Sequence, residues 1–187
     1  MNAITLPTDS NWIQTHSGIA FPLLEPRPEH VRVEDIAHAL ARQCRYAGHC
    51  RTFYSVAQHS VVLAQWLLDT HRNRQFALEA LLHDAAEAYV IDIPRPLKML
   101  LPRHIEIEAN VQAAVRERLG LYGDVPDEVY DADRRILTDE REQLMAPCQV
   151  DWGAMKPALG VTLTPTWMPA QAEREFLALY HGLTCGY

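Results

Sequence analysis

Several ionisable residues in this sequence fall at spacings that aim them at a protein core. Phe76, Ala80, His83 and Glu87 recur at intervals of 4, 3 and 4, and Ala77, Leu81 and Asp84 form the adjoining row. On a helix, His83, Asp84 and Glu87 therefore project from the apolar face. His59 has Val56, Val62, Leu63 and Trp66 as its neighbours one and two turns away, so it too points inward. Further along, Val129, Asp133, Ile136 and Glu140 repeat at 4, 3 and 4, while Asp131 shares its side with Asp127, Arg134 and Arg135. Asp133, not Asp131, is the inward carboxylate. Burying isolated charge is costly, so these groups need partners or a metal.

Two imidazoles and two carboxylates, His59, His83, Asp84 and Asp133, supply nitrogen and oxygen donors suited to one divalent cation. Mn, Co, Ni, Fe, Zn or Mg would serve, with two further positions left in an octahedral shell. Such an ion lowers the pKa of bound water and polarises a phosphoryl oxygen, while Glu87, one turn beyond His83, takes up or relays the proton. This is hydrolytic chemistry. The plainer alternative is a buried His/Asp hydrogen-bond network with no metal. Arg95 and Lys98 follow closely and offer positive charge to a phosphoryl oxygen.

The elements that must position these residues read as helices. Ile36, Ala37, Leu40, Ala41 and Cys44 form a stripe from Glu34 that ends near Tyr46-Ala47-Gly48. A second helix starts at Ser55, where Ser55 and Gln58 fit a capping box, and runs to about Asp69. A third covers about Asn73 to Tyr89 and stops before Ile93, because Pro94 and Pro96 remove donors. A fourth spans about Arg103 to Leu119 with Gly120 as its left-handed end, and a fifth follows Pro126, which suits a first helical position, and reaches about Met145. A last helix, about Ala170 to His181, places Ala172, Phe176, Leu179 and Tyr180 on one face before Gly182. Residues 1–33, with Pro7, Pro22, Pro26 and Pro28, read as an extended lead-in, and Pro147 to Pro169 as irregular.

The chain of 187 residues suits one domain, 1–187, with its own core, and 48% apolar against 22% charged residues is the balance of a globular protein. The expected architecture is all-α, a compact helical bundle. Seventeen basic against 24 acidic residues leave a net charge of −7, which speaks against a long nucleic acid as partner. No signal peptide pattern opens the sequence, and no run of about 18 apolar residues occurs. A cytoplasmic protein that does not engage a membrane is expected. Cys44, Cys50, Cys148 and Cys185 form no C-x-x-C pair, so no disulfide framework is expected.

The order His59, then His83-Asp84, then Asp133 resembles the H…HD…D signature of the HD-domain metal-dependent phosphohydrolases. Phe53 to Ser60, with His83-Asp84-Ala85-Ala86-Glu87 and Asp92-Ile93-Pro94, is similar to the bacterial and phage 5′-deoxynucleotidase branch, and the resemblance extends from about Trp12 to Met145. It implies an all-helical fold of the HD type, metal ligation by His59, His83, Asp84 and Asp133, catalytic assistance from Glu87 and a supporting polar role for Asp92. It implies a small-molecule nucleotide substrate, either a deoxynucleoside monophosphate or a triphosphate, and a homo-oligomer. In those relatives an Arg-Trp pair before the first histidine serves phosphate binding and sugar or base selection. The nearest match is Arg45-Tyr46, with Tyr in place of Trp. Cyclic nucleotide or dinucleotide phosphodiesterases and diiron oxygenases recruit extra histidines between the HD pair and the final Asp; here only His104 lies in that interval, which favours one metal. A non-catalytic nucleotide sensor is the alternative from another class, and Glu87 speaks against it, since a structural site needs no proton carrier.

Overall fold

The structure is a computed structural model that describes residues 11–153 and 155–185. It is predominantly helical, as the sequence periodicity predicts. Two short strands, β1 (Trp12–Gln14) and β2 (Ala20–Pro22), precede eight α-helices among the described residues: α1 (Val33–Leu40), α2 (Val56–His71), α3 (Arg74–Leu82), α4 (Glu87–Val90), α5 (Arg95–Lys98), α6 (Pro102–Leu119), α7 (Asp127–Leu144) and α8 (Pro169–Thr184). No helix among the described residues is long and apolar enough to cross a membrane.

Helices α2 and α3 form the central hairpin. Ser55 Oγ accepts the Gln58 N–H at 3.1 Å to start α2, and the Asn73 side chain accepts from Gln75 and Phe76 N–H to start α3. The α8 helix packs on α1, α2 and α3, α7 packs on α2 and α3, and α6 lies against the short α4. Leu63, Leu67, Leu81, Leu82, Ile136 and Phe176 from these helices are fully buried and fill the space between them. Gly120 takes a left-handed φ of 73° after α6, as expected, whereas Pro126 stands just outside α7.

Four expectations are corrected. The lead-in is not merely extended, since its described part contains a β-hairpin turned at Gly18, where φ is 85°. Its turn is tied to α1 by the Ser17 N–H and hydroxyl, which both donate to Asp35 at 2.7 Å. Pro7 lies outside the described residues. Gly182 does not end the last helix: burial continues through Leu183, and the Arg74 guanidinium donates to the carbonyls of Gly182, Leu183 and Cys185. The capping box is half made, because the Gln58 amide turns away to Leu163 and Trp167.

The fourth correction bears on the site. The helix expected from Asn73 to Tyr89 breaks after Leu82. Gln112 of α6 inserts its amide there, donating from Nε2 to the Leu82 carbonyl and accepting the Ala86 N–H at Oε1, each at 2.9 Å. In a continuous helix those two backbone groups would bond to each other. The chain between them tightens to i→i−3 bonds, Ala85 to Leu82 and Glu87 to Asp84, before α4 begins. His83 and Asp84 stand in this opened turn.

The irregular segment is stitched down along 156–167. Asp139 accepts the N–H groups of Leu159, Gly160 and Val161, and Gln143 bonds Val161 and Leu163. Leu163 inserts beside Tyr54 and Leu144 as a small second core.

Candidate metal centre

Three helical elements deliver the predicted ligands to one point. His59 sits near the start of α2 and is fully buried, His83 and Asp84 occupy the break after α3, and Asp133 comes from α7. One ligand atom each from His59, His83 and Asp133 lies within 4.8 Å of the others. Asp84 Oδ2 joins them, 3.1 Å from His83 Nε2 and 3.9 Å from His59 Nε2. Asp133 Oδ1 is 3.3 Å from His59 Nε2 and 3.6 Å from His83 Nε2. Asp131 points elsewhere and pairs with Lys156 and Arg135.

The imidazoles are oriented from behind. His59 Nδ1 donates to Glu140 Oε1 at 2.6 Å, and His83 Nδ1 donates to the Ala80 carbonyl at 2.7 Å. With the proton held on Nδ1 in each ring, both Nε2 lone pairs face the shared point, and both Nε2 atoms are buried without a hydrogen-bond partner. Orphaned, convergent nitrogen atoms beside two carboxylates are the donor set of a divalent cation, so the residues present fit the expected metal. Asp133 keeps 35% of its side chain exposed, which opens the centre to solvent on that flank.

The electrostatics favour positive charge. Burial opposes ionisation of Asp84, but His83 and His59 outweigh it and hold the carboxyl at about 2. Asp133 likewise ends well below the usual range despite burial, through both histidines. Burial pulls both imidazoles down, and Arg45 adds to this at His59, yet Glu140 and Asp133 at His59, and Asp84 and Asp133 at His83, raise them above the ordinary value.

Periodicity places Glu140 on the inward row of its helix but assigns it no role. It is fully buried and anchors the centre: beyond His59, its Oε2 accepts the Tyr46 hydroxyl at 2.5 Å and Arg45 at 3.3 Å. Arg45, with Asp84 at 3.6 Å as well, bridges a ligand and the group behind it. Its guanidinium is thus largely committed within the protein instead of standing free for phosphate. Despite burial, Arg45, His59 and Tyr46 hold Glu140 at about 2. The signal for Glu140 lay in the row that singled out Asp133; for Gln112 there was none.

Glu87 is buried at the start of α4, with Oε2 unpartnered and Oε1 3.4 Å from Lys98 Nζ. Burial, then Asp84 and Asp92, push its carboxyl well above the usual range. Lys98 also pairs with Glu108 at 2.8 Å. Asp92 has its backbone N–H held by Gln43, whose amide also donates to the Glu87 carbonyl, and burial raises its carboxyl against the pull of Arg45. Arg95 is not brought in: it is exposed at the start of α5 and forms no ion pair with a described residue of the centre. His104 Nε2 donates to the Val90 carbonyl, and its Nδ1 lies 3.8 Å from Glu108.

No family model matches the sequence. The chain is 40% identical over 180 residues to the uncharacterized protein YfdR of Escherichia coli (strain K12), an alignment that covers 93% of this chain and 96% of that protein. The chain belongs to the YfdR family. An uncharacterized protein of Rhodobacter capsulatus is 34% identical over 189 residues, with 92% of this chain and 95% of that protein covered. The YfdR likeness thus spans every element that builds the centre, from α2 to α7, and not one isolated motif.

Proposed function

We propose that this chain is a metal-dependent phosphohydrolase of the HD-domain type acting on nucleotides, a 5′-deoxynucleotidase or a deoxynucleoside triphosphate phosphohydrolase. One observation carries the reading. Two imidazoles, that of His59 fully buried and that of His83 partly so, each with its proton fixed on Nδ1, turn buried, orphaned Nε2 atoms toward one point shared with Asp84 and Asp133. A divalent ion held by His59, His83, Asp84 and Asp133 supplies Lewis acidity toward a phosphoryl oxygen and makes water acidic near neutral pH. The remaining work falls to the chain itself. Glu87, whose carboxyl burial and Asp84 push well above the usual range, offers its unpartnered Oε2 as the proton carrier, and Lys98 lies 3.4 Å from its other oxygen. Lys98 and Arg45 are the cations nearest these groups, and each is already shared between two carboxylates, Glu87 and Glu108 for Lys98 and Asp84 and Glu140 for Arg45, so either meets a phosphate by giving up part of an ion pair. Asp92 adds to burial and Asp84 in raising the Glu87 carboxyl. Such an enzyme serves the cytoplasmic nucleotide pool, and we read it as a homo-oligomer.

The test is release of phosphate, pyrophosphate or triphosphate from deoxy- and ribonucleoside mono- and triphosphates with Mn, Co and Mg, beside an Asp84→Ala control. Phosphate from deoxynucleoside monophosphates, lost in the control, is the expected result; triphosphate release would make it a triphosphohydrolase. Hydrolysis of cyclic nucleotides alone, with two metals per chain, would move the assignment to a phosphodiesterase. Tight nucleotide binding without turnover on any metal would leave a sensor.

A further inference from the structure

The turn that carries Arg45 and Tyr46 is held in a costly conformation. Tyr46 and Ala47 adopt φ of 57° and 51°, a left-handed region that a Cβ disfavours. The Tyr46 hydroxyl reaches inward to Glu140, and this bond fixes the ring against the residue that orients His59. On its other side the Tyr46 ring meets the indole of Trp152, with centroids 5.7 Å apart and planes inclined by 45°. The Arg45 guanidinium lies 5.5 Å from the Tyr46 ring, and that of Arg141 lies 5.8 Å from the Trp152 ring.

Trp152 belongs to the front of the irregular segment. Where the backbone of 156–167 is pinned by side chains of α2 and α7, residues 147–153 meet the body through their own side chains among the described contacts: Asp151 on Arg141 at 3.2 Å and Trp152 on Tyr46. The indole remains 38% exposed. A tryptophan brought out over a tyrosine that Glu140 joins to the metal centre presents flat aromatic surface beside the Arg141 guanidinium, which it shares with Asp151, whereas Arg45 is committed to Asp84 and Glu140. That combination is complementary to an aromatic ring that carries phosphate.

We propose that Trp152 extends the Tyr46 ring, already the expected sugar or base contact, into a wall on which the base of the nucleotide stacks, with Arg141 beside it, so that the segment 147–153 sets base selectivity. This rests on the nucleotide phosphohydrolase reading above. It gives the irregular segment a function that periodicity does not reveal.

The experiment compares wild type, Trp152→Ala and Trp152→Phe. Steady-state kinetics on a deoxynucleoside monophosphate are paired with calorimetric binding of that nucleotide and of inorganic phosphate in a Glu87→Gln background that lacks turnover. Loss of one stacking partner is expected to raise KM and weaken nucleotide binding about tenfold, with kcat moving less than twofold. Phosphate affinity should stay unchanged, and Trp152→Phe should recover most of the loss. If wild type hydrolyses the nucleotide and Trp152→Ala does so with the same KM and affinity, the wall is refuted while the phosphohydrolase reading stands. If wild type binds metal and phosphate but no nucleotide, the nucleotide reading fails and the wall with it.

Discussion

Glu140→Gln tests whether the groups behind the ligands set the strength of the metal centre. The substitution keeps the volume of a fully buried side chain and leaves an acceptor for His59 Nδ1, but removes the negative charge. The amide NH2 then faces the Arg45 guanidinium, a donor that now meets a donor, and the Tyr46 hydroxyl, which must turn from donating to accepting. A hydrogen bond to a charged group contributes roughly 1.5–3 kcal/mol, and loss of a carboxylate behind a ligating histidine weakens metal affinity about 10- to 100-fold. The assay is competition of Mn or Co between protein and a chelator of known affinity, on protein shown to be folded by circular dichroism. An acid titration of the metal-stripped protein adds a second readout. Glu140 titrates at about 2 in the folded chain against 4.5 ordinarily, so its contribution to stability is complete above 4.5 and is lost as pH falls toward 2. That part of the acid transition should vanish in Glu140→Gln. Metal affinity equal to wild type would refute the reasoning and mean that packing alone orients His59.

Gln112→Leu removes the amide that opens the helix at Leu82 and leaves the Leu82 carbonyl and Ala86 N–H without it; a stability loss of about 2–3 kcal/mol in urea unfolding and weaker metal binding are expected, and unchanged metal affinity would show that the break needs no insert. Glu87→Gln should abolish turnover yet melt higher than wild type at pH 7. The folded-state pKa of Glu87 is raised, so its stability contribution is present below about 4.5 and lost as pH rises through the folded value, a loss the neutral amide avoids; each kcal/mol regained reads as about 2–4 °C. Ile91, Leu97, Met99, Leu100, Leu101 and Ile105 stand exposed around α5, an apolar face of the sort monomers seldom leave bare, so Leu100→Glu should halve the mass seen by light scattering if copies pair there.

The site was legible in the sequence where local periodicity governs. His59, Asp133 and Glu140 lie inside long helices, so counting residues along one face placed them on the inward side, and Ser55 and Asn73 marked the helix starts because capping is a local bond. The aim of His83 and Asp84 was not fixed by their own row, since that helix is interrupted by Gln112, 30 residues further on from Leu82. Pairing across such distances carries no periodic signal. The same holds for Arg45, whose charge is shared between Asp84 and Glu140, and for the segment 156–167, tied down by side chains of α2 and α7. Arg95 shows the converse: its position next to Lys98 suggested a shared role, but on a four-residue helix Lys98 turns to Glu87 while Arg95 faces solvent. The sequence by itself determined the helices and which faces turn inward, because propensity, capping and apolar spacing act within a few residues. Only the tertiary structure decided where a helix must open and which charges meet, because buried polar groups take their partners from whatever element packs against them.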